Sequence, residues 1–551
     1  MGVIEETWLR SVGPTLLDVW KPILPRLQEG TTRAVPDWPP DLFALTAFAL
    51  RRESLYVRVL SAGWPAVEFA GKGEDAWASF CRVTARAWVG TLGKGGEPPP
   101  LAVVERWNVL ASRLDDPYLC PPSGSDPSLG LILMELLSIS DEACRYLGRT
   151  YGCDSNESGS LFPLRYAEVC LNANNRSSMC RDISARLLRV LPKHRTPQEG
   201  LTIRSLSLYA GLIEGSEIGP EYHQAPGKEG LCSNVLIVPW PLVMGPSTFA
   251  ASKAIPGEMR NMASPFGFFT VGRNPHEKDG AVVTAILDLI KKAEQDVGPI
   301  DTVVLPEAAV SRVNALDLVE VLDAMEINLI AGVGTPAEPE KQHGENFVLI
   351  AVAGSNVVHQ DKQHRWKLDA GQIRQYSLGS RLDPGRTWWE HIDLGSRKVA
   401  FTQTQPWLST CVLICEDLAR PDPAGDAIRA VGPSLTIALL MDGPQTRVRW
   451  GGRHATTLAE DPGCSVLTLT SLGMSQMSRP QSGQPDRSRV VALWKEEDQD
   501  FVEVELPAGK HAAVLSLTVK KCVDWAADGR HRVAAVPSLS GVRYFSIPGG
   551  V

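Results

Sequence analysis

The chain contains 551 residues, too many for a single hydrophobic core, and therefore predicts two or three domains. With 44% hydrophobic and 21% charged residues, its composition is that of a soluble globular protein. The net charge of -8 and the pI near 5.8 argue against a general nucleic-acid-binding surface. They are compatible with a local basic groove.

Neither the N-terminus nor the cysteines indicate export, a membrane or a metal site. Residues 1–6 lack a positive region followed by an apolar core, so we expect no signal peptide. No apolar run approaches the length that is needed to cross a bilayer. The eleven cysteines are scattered without a Cys-x-x-Cys pair, which is typical of free thiols in a reducing cytoplasm.

Residues 1–230 are predicted to form a mostly α-helical domain whose role the sequence does not assign. Apolar residues at helical spacing predict helices at 41–60, 75–93, 131–147, 182–191 and 201–212. The seven tryptophans of this region are predicted to be packing residues, with a surface for a protein partner as the alternative. They are Trp8, Trp20, Trp38, Trp64, Trp77, Trp88 and Trp107.

A Pro- and Gly-containing segment, 218–230, is predicted to link this region to a second domain at 231–551. There, short apolar runs alternate with amphipathic helices, which predicts an α/β domain with a mixed sheet covered by helices. Strands are predicted at 234–239, 302–305, 327–333, 347–358, 412–414, 435–441 and 465–470, and two more at 490–517. Helices are predicted at 278–297 and 316–325, and a mobile polar loop at 473–489.

Three residues near the ends of apolar runs offer complementary chemistry. Glu307 follows the run 302–305, Cys415 follows the run 412–414, and Lys362 lies about midway between them in the chain. A thiol attacks a carbonyl or nitrile carbon when a base takes its proton and a cation stabilises the developing oxyanion. We therefore predict Glu307 as the general base, Lys362 as the stabilising cation and Cys415 as the nucleophile. This set requires neither a metal nor an organic cofactor.

The order Pro-Glu at 307, Lys-x-His at 362 and Ile-Cys-Glu-Asp at 415 resembles the nitrilase superfamily of carbon–nitrogen hydrolases. The segment 415–422 is similar to the Cys-Tyr-Asp-x-x-Phe-Pro-Glu signature of that family, with glutamate replacing tyrosine as in the glutaminase domains of NAD synthetases. The resemblance covers about residues 232–520. It implies an α-β-β-α sandwich, a Glu-Lys-Cys triad on the three residues above, and a homo-oligomer.

Family members often carry a second glutamate shortly after the lysine, and this chain departs from that pattern. Asp369 and Glu390 are both candidates for the second acid. Lys367 is an alternative to Lys362, but only Lys362 has the Lys-x-His context.

Other residues are predicted to line the pocket or to bind the oxyanion. The backbone N–H of Glu416 is the predicted second donor to the oxyanion. His364 is a candidate lining residue for which packing is favoured over catalysis, and Asp442, after the strand 435–441, is a further lining candidate.

These residues predict a cytoplasmic thiol hydrolase that cleaves a non-peptide C–N bond in a small molecule, with an amide favoured over a nitrile. A second hypothesis is a weak or inactive nitrilase-fold effector or scaffold in a larger assembly, such as a bacterial antiphage system, with residues 1–230 binding a protein partner. Acyl transfer to an amine is a third, because hydrolysis and transfer share the acyl-enzyme.

Overall fold

The structure is a computed structural model of the chain, and it divides into two compact units. The first unit contains Met1–Glu217, Asp426–Gly432 and Cys522–Ala534, and the second contains Ile218–Gly425, Pro433–Lys521 and Ala535–Val551. The domain boundary predicted after residue 230 stays a prediction. The structure describes residues 14–23, 34–61, 75–92, 98–117, 128–145, 147, 178–198, 200–215, 218–224, 230–253, 266–272, 280–337, 343–395, 397–479 and 487–547.

The described part of the first unit is mainly helical. Its α-helices up to residue 144 are α1 (Leu16–Trp20), α2 (Pro39–Arg51), α3 (Leu55–Ser61), α4 (Ala76–Thr91), α5 (Leu101–Ser112) and α6 (Leu129–Cys144). Helix α6 begins where the Ser128 side chain accepts a hydrogen bond from the N–H of Leu131, and it contacts α2, α3, α4 and α5. Fifteen of its sixteen residues are buried, so α6 is the centre of this core.

The prediction that the tryptophans pack in the core is confirmed for the five that the structure describes. Trp20, Trp38, Trp77, Trp88 and Trp107 are all buried. The rings of Trp20 and Trp107 stack with their centroids 5.8 Å apart. The other two, at positions 8 and 64, lie outside the described residues.

Two helix predictions in this unit are wrong. Where helices were predicted at 182–191 and 201–212, the structure has strands β1 (Leu188–Pro192) and β2 (Ala210–Glu214), which pair antiparallel. Only a short 3-10 turn, Ile203–Leu206, is helical. The carboxylate of Asp141 accepts hydrogen bonds from the N–H groups of Leu208, Tyr209 and Ala210. This contact with a distant helix satisfies the backbone in an extended form, and local spacing does not reveal it.

A buried arginine organises the late segment of the first unit. Arg530 is almost fully buried, and its guanidinium lies 2.9 Å from a carboxylate oxygen of Asp141 and 2.6 Å from one of Asp528. Asp528 also accepts hydrogen bonds from the side chains of Ser138 and Trp77. These ion pairs and hydrogen bonds join the late segment Cys522–Ala534 to the helices of the first unit.

The second unit contains two seven-stranded sheets. The first sheet has the order β10-β9-β8-β7-β4-β19-β20, and the second has the order β18-β17-β16-β15-β14-β13-β3. The first sheet consists of β4 (Cys232–Ile237), β7 (Thr302–Val310), β8 (Asn328–Thr335), β9 (Glu345–Ala351), β10 (Val357–Asp361), β19 (Ala512–Trp525) and β20 (His531–Phe545). The second consists of β3 (Gly219–Gln224), β13 (Lys398–Gln405), β14 (Leu408–Ile414), β15 (Leu435–Leu440), β16 (Ser465–Thr470), β17 (Val490–Lys495) and β18 (Val502–Glu505).

The two sheets and their helices form an α-β-β-α sandwich. Strands β7 and β9 of the first sheet contact β14, β15 and β16 of the second. Helices α7 (Ala281–Val297) and α8 (Arg312–Ala324) contact each other, and α8 contacts β8 and β9. Helix α11 (Trp450–Glu460) contacts β16 and β17 of the second sheet. The predicted sandwich is therefore confirmed by the sheet topology.

Smaller elements complete the described chain. A four-stranded sheet has the order β11-β12-β6-β5 and consists of β5 (Phe249–Ala251), β6 (Phe266–Val271), β11 (Lys367–Leu368) and β12 (Thr387–Glu390). The remaining helices are α9 (Ala370–Gln375), α10 (Ala424–Val431) and α12 (Leu472–Met477). None of the helices within the described ranges is long and apolar enough to span a membrane.

Two predictions near the C-terminus are also corrected. The predicted loop 473–489 begins within helix α12, because the Ser471 side chain caps that helix by accepting a hydrogen bond from the N–H of Met474. Residues 480–486 of this loop lie outside the described residues. The region 490–517, predicted as two strands, contains β17, β18 and the start of β19.

A glycine in β8 allows the backbone around Glu307 to approach the neighbouring strand. The pairing of β7 with β8 shifts register between Leu305 and Val310, and Ala308 has a positive φ of 48°. A Cβ atom on Gly332 would lie 2.1 Å from the carbonyl oxygen of Pro306 and 2.6 Å from the Cα of Glu307. No side chain fits at this position without moving the strand that carries Glu307.

We therefore expect Gly332→Ala to destabilise the protein by about 1–3 kcal/mol through overpacking against backbone. Denaturant unfolding measures the effect. Gly541→Ala is the matched control. Gly541 also lies in a β-strand, but a Cβ atom at this position would meet no atom within 4 Å. Equal stability of the two variants would contradict the close approach of β7 and β8.

Candidate active site

Loops and strand ends bring the three predicted catalytic residues into one buried region of the second unit. Glu307 lies in the irregular part of β7, Lys362 follows β10, and Cys415 follows β14. The exposed fractions of Glu307, Lys362 and Cys415 are 3%, 0% and 2%, respectively. Both Glu307 and Lys362 act electrostatically on the thiol of Cys415.

The ammonium group of Lys362 binds two carboxylates. Its Nζ atom lies 2.7 Å from Oε1 of Glu307 and 2.7 Å from Oε2 of Glu390, the last residue of β12. The backbone N–H of Trp366 also donates to Oε2 of Glu390, over 3.1 Å. Of the two candidates for the second acid, Glu390 is therefore the one that lies at Lys362.

Asp369, the other candidate, has a local structural role. It is exposed and forms the N-cap of α9, where its side chain accepts a hydrogen bond of 2.9 Å from the N–H of Gln372. Lys367, the alternative lysine, is also exposed, and its ammonium lies over the ring of Trp389 at 5.9 Å from the centroid. Neither residue lies at the buried ion pairs.

Cys415 occupies a backbone conformation that is costly for its residue type. Its φ is 46°, in the left-handed region, directly after a fully buried strand. Such strain costs about 1–3 kcal/mol and persists only where surrounding structure enforces it, which is a feature of active sites. The turn continues as a 3-10 helix, Cys415–Ala419.

Burial and the neighbouring charges set the protonation states at rest. Burial and Glu307 raise the pKa of the Cys415 thiol well above its usual value, against the opposing effect of Lys362. Burial also raises the pKa of Glu307, although Lys362 and a hydrogen bond from Asn346 act to lower it. For Lys362, burial opposes the charge, but Glu307 and Glu390 outweigh it and hold the pKa well above the ordinary range. The resting site therefore has a neutral thiol and a charged lysine.

Asn346 is a component of this site that the sequence analysis missed. Its side-chain Nδ2 donates to Oε1 of Glu307 over 2.8 Å and to Oε1 of Glu390 over 2.7 Å. It is the second residue of β9, and its backbone carbonyl accepts a hydrogen bond from the N–H of Lys362. An asparagine near the start of an apolar strand carries no periodic or motif signal in a single sequence.

The remaining predicted residues surround the site. His364 Nδ1 lies 2.9 Å from the buried carboxylate of Asp417, which also accepts from the backbone N–H of Gln363. This contact anchors the segment that carries Lys362. The side chain of Glu416 forms an ion pair with Arg420 and is partly exposed.

Asp442 follows β15 and joins a polar cluster. It accepts hydrogen bonds from the side chains of Tyr376, Arg449 and Trp450. The side chain of Arg449 is mostly buried and forms an ion pair with Asp442. Asp442 also acts electrostatically on Cys415, so this cluster lies near the thiol.

A small cavity of about 20 Å³ adjoins the buried ion pairs. It is lined by Glu390 and Asn346, by Ala308 next to Glu307, and by Met441, whose backbone forms a hydrogen bond with the Cys415 thiol. Phe269 and Ile392 contribute apolar surface on its other sides.

We expect Lys362→Met to destabilise the protein by about 3–5 kcal/mol, because two buried carboxylates lose their cation. Without the ammonium, the pKa of Glu307 in the folded state rises further above its unfolded value of about 4.3. Protonation of Glu307 at low pH removes its unpaired buried charge, so the loss of stability is larger at pH 8 than at pH 5. Urea unfolding at the two pH values measures it, with the exposed Lys367→Met as control. An equal loss at both pH values would contradict the uncompensated carboxylates.

Comparison with known proteins finds similar solved structures. The Nit3 protein of Saccharomyces cerevisiae, a member of branch 10 of the nitrilase superfamily, is 12% identical, with a TM-score of 0.32, covering 53% of this chain and 93% of that one. An amidase from Nesterenkonia sp. is 11% identical, with a TM-score of 0.32, covering 56% and 96%. XC1258 of Xanthomonas campestris, a CN-hydrolase superfamily protein, is 14% identical, with a TM-score of 0.26, covering 58% and 91%.

No protein-family model matches the chain, and no curated protein sequence matches it. The identities and TM-scores of the similar structures carry no conclusion about activity or substrate. Two of the three are described as members of the nitrilase or CN-hydrolase superfamily, the group that the sequence motifs resemble.

Proposed function

We propose that this chain is a carbon–nitrogen hydrolase of the nitrilase type, which cleaves a small non-peptide amide through a thioester on Cys415. The observation that carries this proposal is the buried set of Glu307, Lys362 and Glu390, of which Glu307 and Lys362 act electrostatically on the Cys415 thiol at a strained turn. A purely structural set of ion pairs would not need a neighbouring cysteine in the left-handed region. Strained backbone next to groups with shifted pKa values is typical of catalytic sites.

The first half of the reaction forms the acyl-enzyme. Because the thiol is neutral at rest, Glu307 takes its proton as the sulfur bonds to the amide carbon. The ammonium of Lys362, with the backbone N–H of Glu416 as the proposed second donor, stabilises the negative oxygen of the tetrahedral intermediate. The C–N bond then breaks, and the leaving amine receives the proton that Glu307 holds.

The second half regenerates the enzyme. A water molecule attacks the thioester carbon while Glu307 takes one of its protons, and the C–S bond breaks to release the carboxylic acid. The proton on Glu307 returns to the thiolate of Cys415. Lys362 is charged at rest beside two carboxylates, and Glu390 remains as its anionic partner while Glu307 holds a proton.

The proposal also names water as the acceptor of the acyl group and a reducing compartment for the protein. An amine in place of water would give acyl transfer through the same thioester, so product analysis distinguishes the two outcomes. Nitriles require two additions to reach the same thioester level as amides, and an amide is the proposed substrate. Cys232, Cys411 and Cys415 are free thiols, which supports a reducing compartment such as the cytoplasm.

We expect Cys415→Ala to lower kcat/KM for the best substrate in a panel of small amides by at least about 10³-fold. Ammonia or amine release measures turnover. The matched control is Cys411→Ala, because Cys411 is a fully buried thiol in β14, four residues before the proposed nucleophile, and burial raises its pKa. The control should keep its turnover.

Thiol labelling provides a test that does not need the substrate. A small chloroacetamide reagent should modify Cys415 faster than the equally buried Cys411, as read by peptide mass spectrometry, with the exposed Cys232 as an internal reference. Full turnover by Cys415→Ala would remove the proposal. An inactive wild type with an unreactive Cys415 would favour the scaffold alternative instead.

A further inference from the structure

The side-chain amide of Asn346 closes a ring of hydrogen bonds around the proposed base. Its Nδ2 reaches both carboxylates, and each carboxylate also reaches the ammonium of Lys362. Going around the ring, Lys362 binds Glu307, Glu307 binds Asn346, Asn346 binds Glu390, and Glu390 binds Lys362 again. All four residues are buried, so water does not compete for these donors and acceptors.

The ring uses the two oxygens of Glu307 differently. Oε1 accepts from both Lys362 and Asn346, over 2.7 and 2.8 Å. Oε2 is buried and has no hydrogen-bond partner among the residues that the structure describes. In Glu390, by contrast, Oε1 accepts from Asn346 and Oε2 accepts from Lys362 and Trp366. A buried carboxylate oxygen without a partner is unfavourable, and a catalytic role is one explanation for such an atom.

We propose that Asn346 is a positioning residue that fixes the rotation of the Glu307 carboxylate, so that Oε2 is the atom that takes the proton of Cys415. This inference rests on the proposed hydrolase function. Two donors on Oε1, the ammonium of Lys362 and the amide of Asn346, restrain the rotation of the carboxylate. The backbone carbonyl of Asn346 extends the same control to Lys362 by accepting its N–H over 2.9 Å.

An amide is suited to this position because of the charges around it. The groups that act on Glu307 are the cation Lys362, after β10, and the anion Glu390, at the end of β12, with the thiol of Cys415 after β14. Two more carboxylates lie near this set. Lys362 acts to lower the pKa of Asp417, and Asp442 acts to raise the pKa of Cys415. Two carboxylates thus share one cation.

Two N–H donors from Asn346 support both carboxylates without adding charge. A hydrogen bond to a carboxylate favours its charged form, and Asn346 acts in this direction on the pKa of Glu307. An aspartate of the same shape would instead bring a third carboxylate to the same cation. A leucine of similar size would fill the space and supply no donor.

The experiment compares Asn346→Leu and Asn346→Asp with the wild type in the pH dependence of kcat/KM for an amide substrate. The acidic limb reports ionisation of the base in the free enzyme. In Asn346→Leu we expect that limb to move upward by about one to two pH units, since hydrogen bonds to a charged group are lost. In Asn346→Asp the limb should move further, and kcat should fall more than KM rises.

The rate of Cys415 alkylation against pH is a parallel readout that requires no turnover, and its acidic limb should move in the same direction. Asn314→Leu is the matched control, because Asn314 is a similarly buried asparagine in α8. If the leucine and aspartate variants fail to fold, Asn346→Ser is the second variant. It keeps one donor and should give a smaller upward shift.

The possible results separate this inference from the function on which it rests. Unchanged acidic limbs in all Asn346 variants, with stability losses like that of Asn314→Leu, would assign Asn346 a packing role and overturn the inference. In that case an inactive Cys415→Ala would still support the hydrolase. Turnover that survives Cys415→Ala would overturn both.

Discussion

The shared ammonium of Lys362 is the interaction on which the second unit depends. Glu307 comes from one seven-stranded sheet, Glu390 from the four-stranded sheet, and Lys362 from the end of another strand. Moving one ion of this size into the protein interior costs several kcal/mol, so none of the three is stable there without the others. The ion pairs therefore fix how these chain ends converge, and Asn346 closes the set with neutral donors.

The backbone of this set is strained at two positions beside the proposed chemistry. Cys415 and Ala308 both have positive φ values, and Gly332 is needed to let the irregular part of β7 approach β8. The strain is offset by the long regular strands on either side, for example β14 and β16, whose residues are all buried. A rigid scaffold can hold such conformations without losing its overall stability.

The sequence predicted the site residues that belong to short local motifs. Pro-Glu, Lys-x-His and the cysteine motif lie at strand ends, so their order and chemistry could be interpreted together. It left Asp369 and Glu390 as alternatives, although Asp-x-x-Gln from Asp369 to Gln372 matches a capping box and favours the helix N-cap. Asn346 was not predicted, because its role exists only once β9, β7 and β12 are assembled. The same reason explains the two wrong helices, whose backbone is held by Asp141 from a distant helix.

Burial of the thiol has consequences for both selectivity and protection. A cysteine with a lowered pKa is reactive toward any electrophile that reaches it, and it is oxidised readily. Cys415 is the opposite case, since burial and Glu307 keep its thiol neutral until a base takes the proton. Its reactivity then depends on the position of Glu307 and not on a standing population of thiolate. A carboxylate held in one orientation can supply that control, because proton transfer requires a base within hydrogen-bond reach of the thiol.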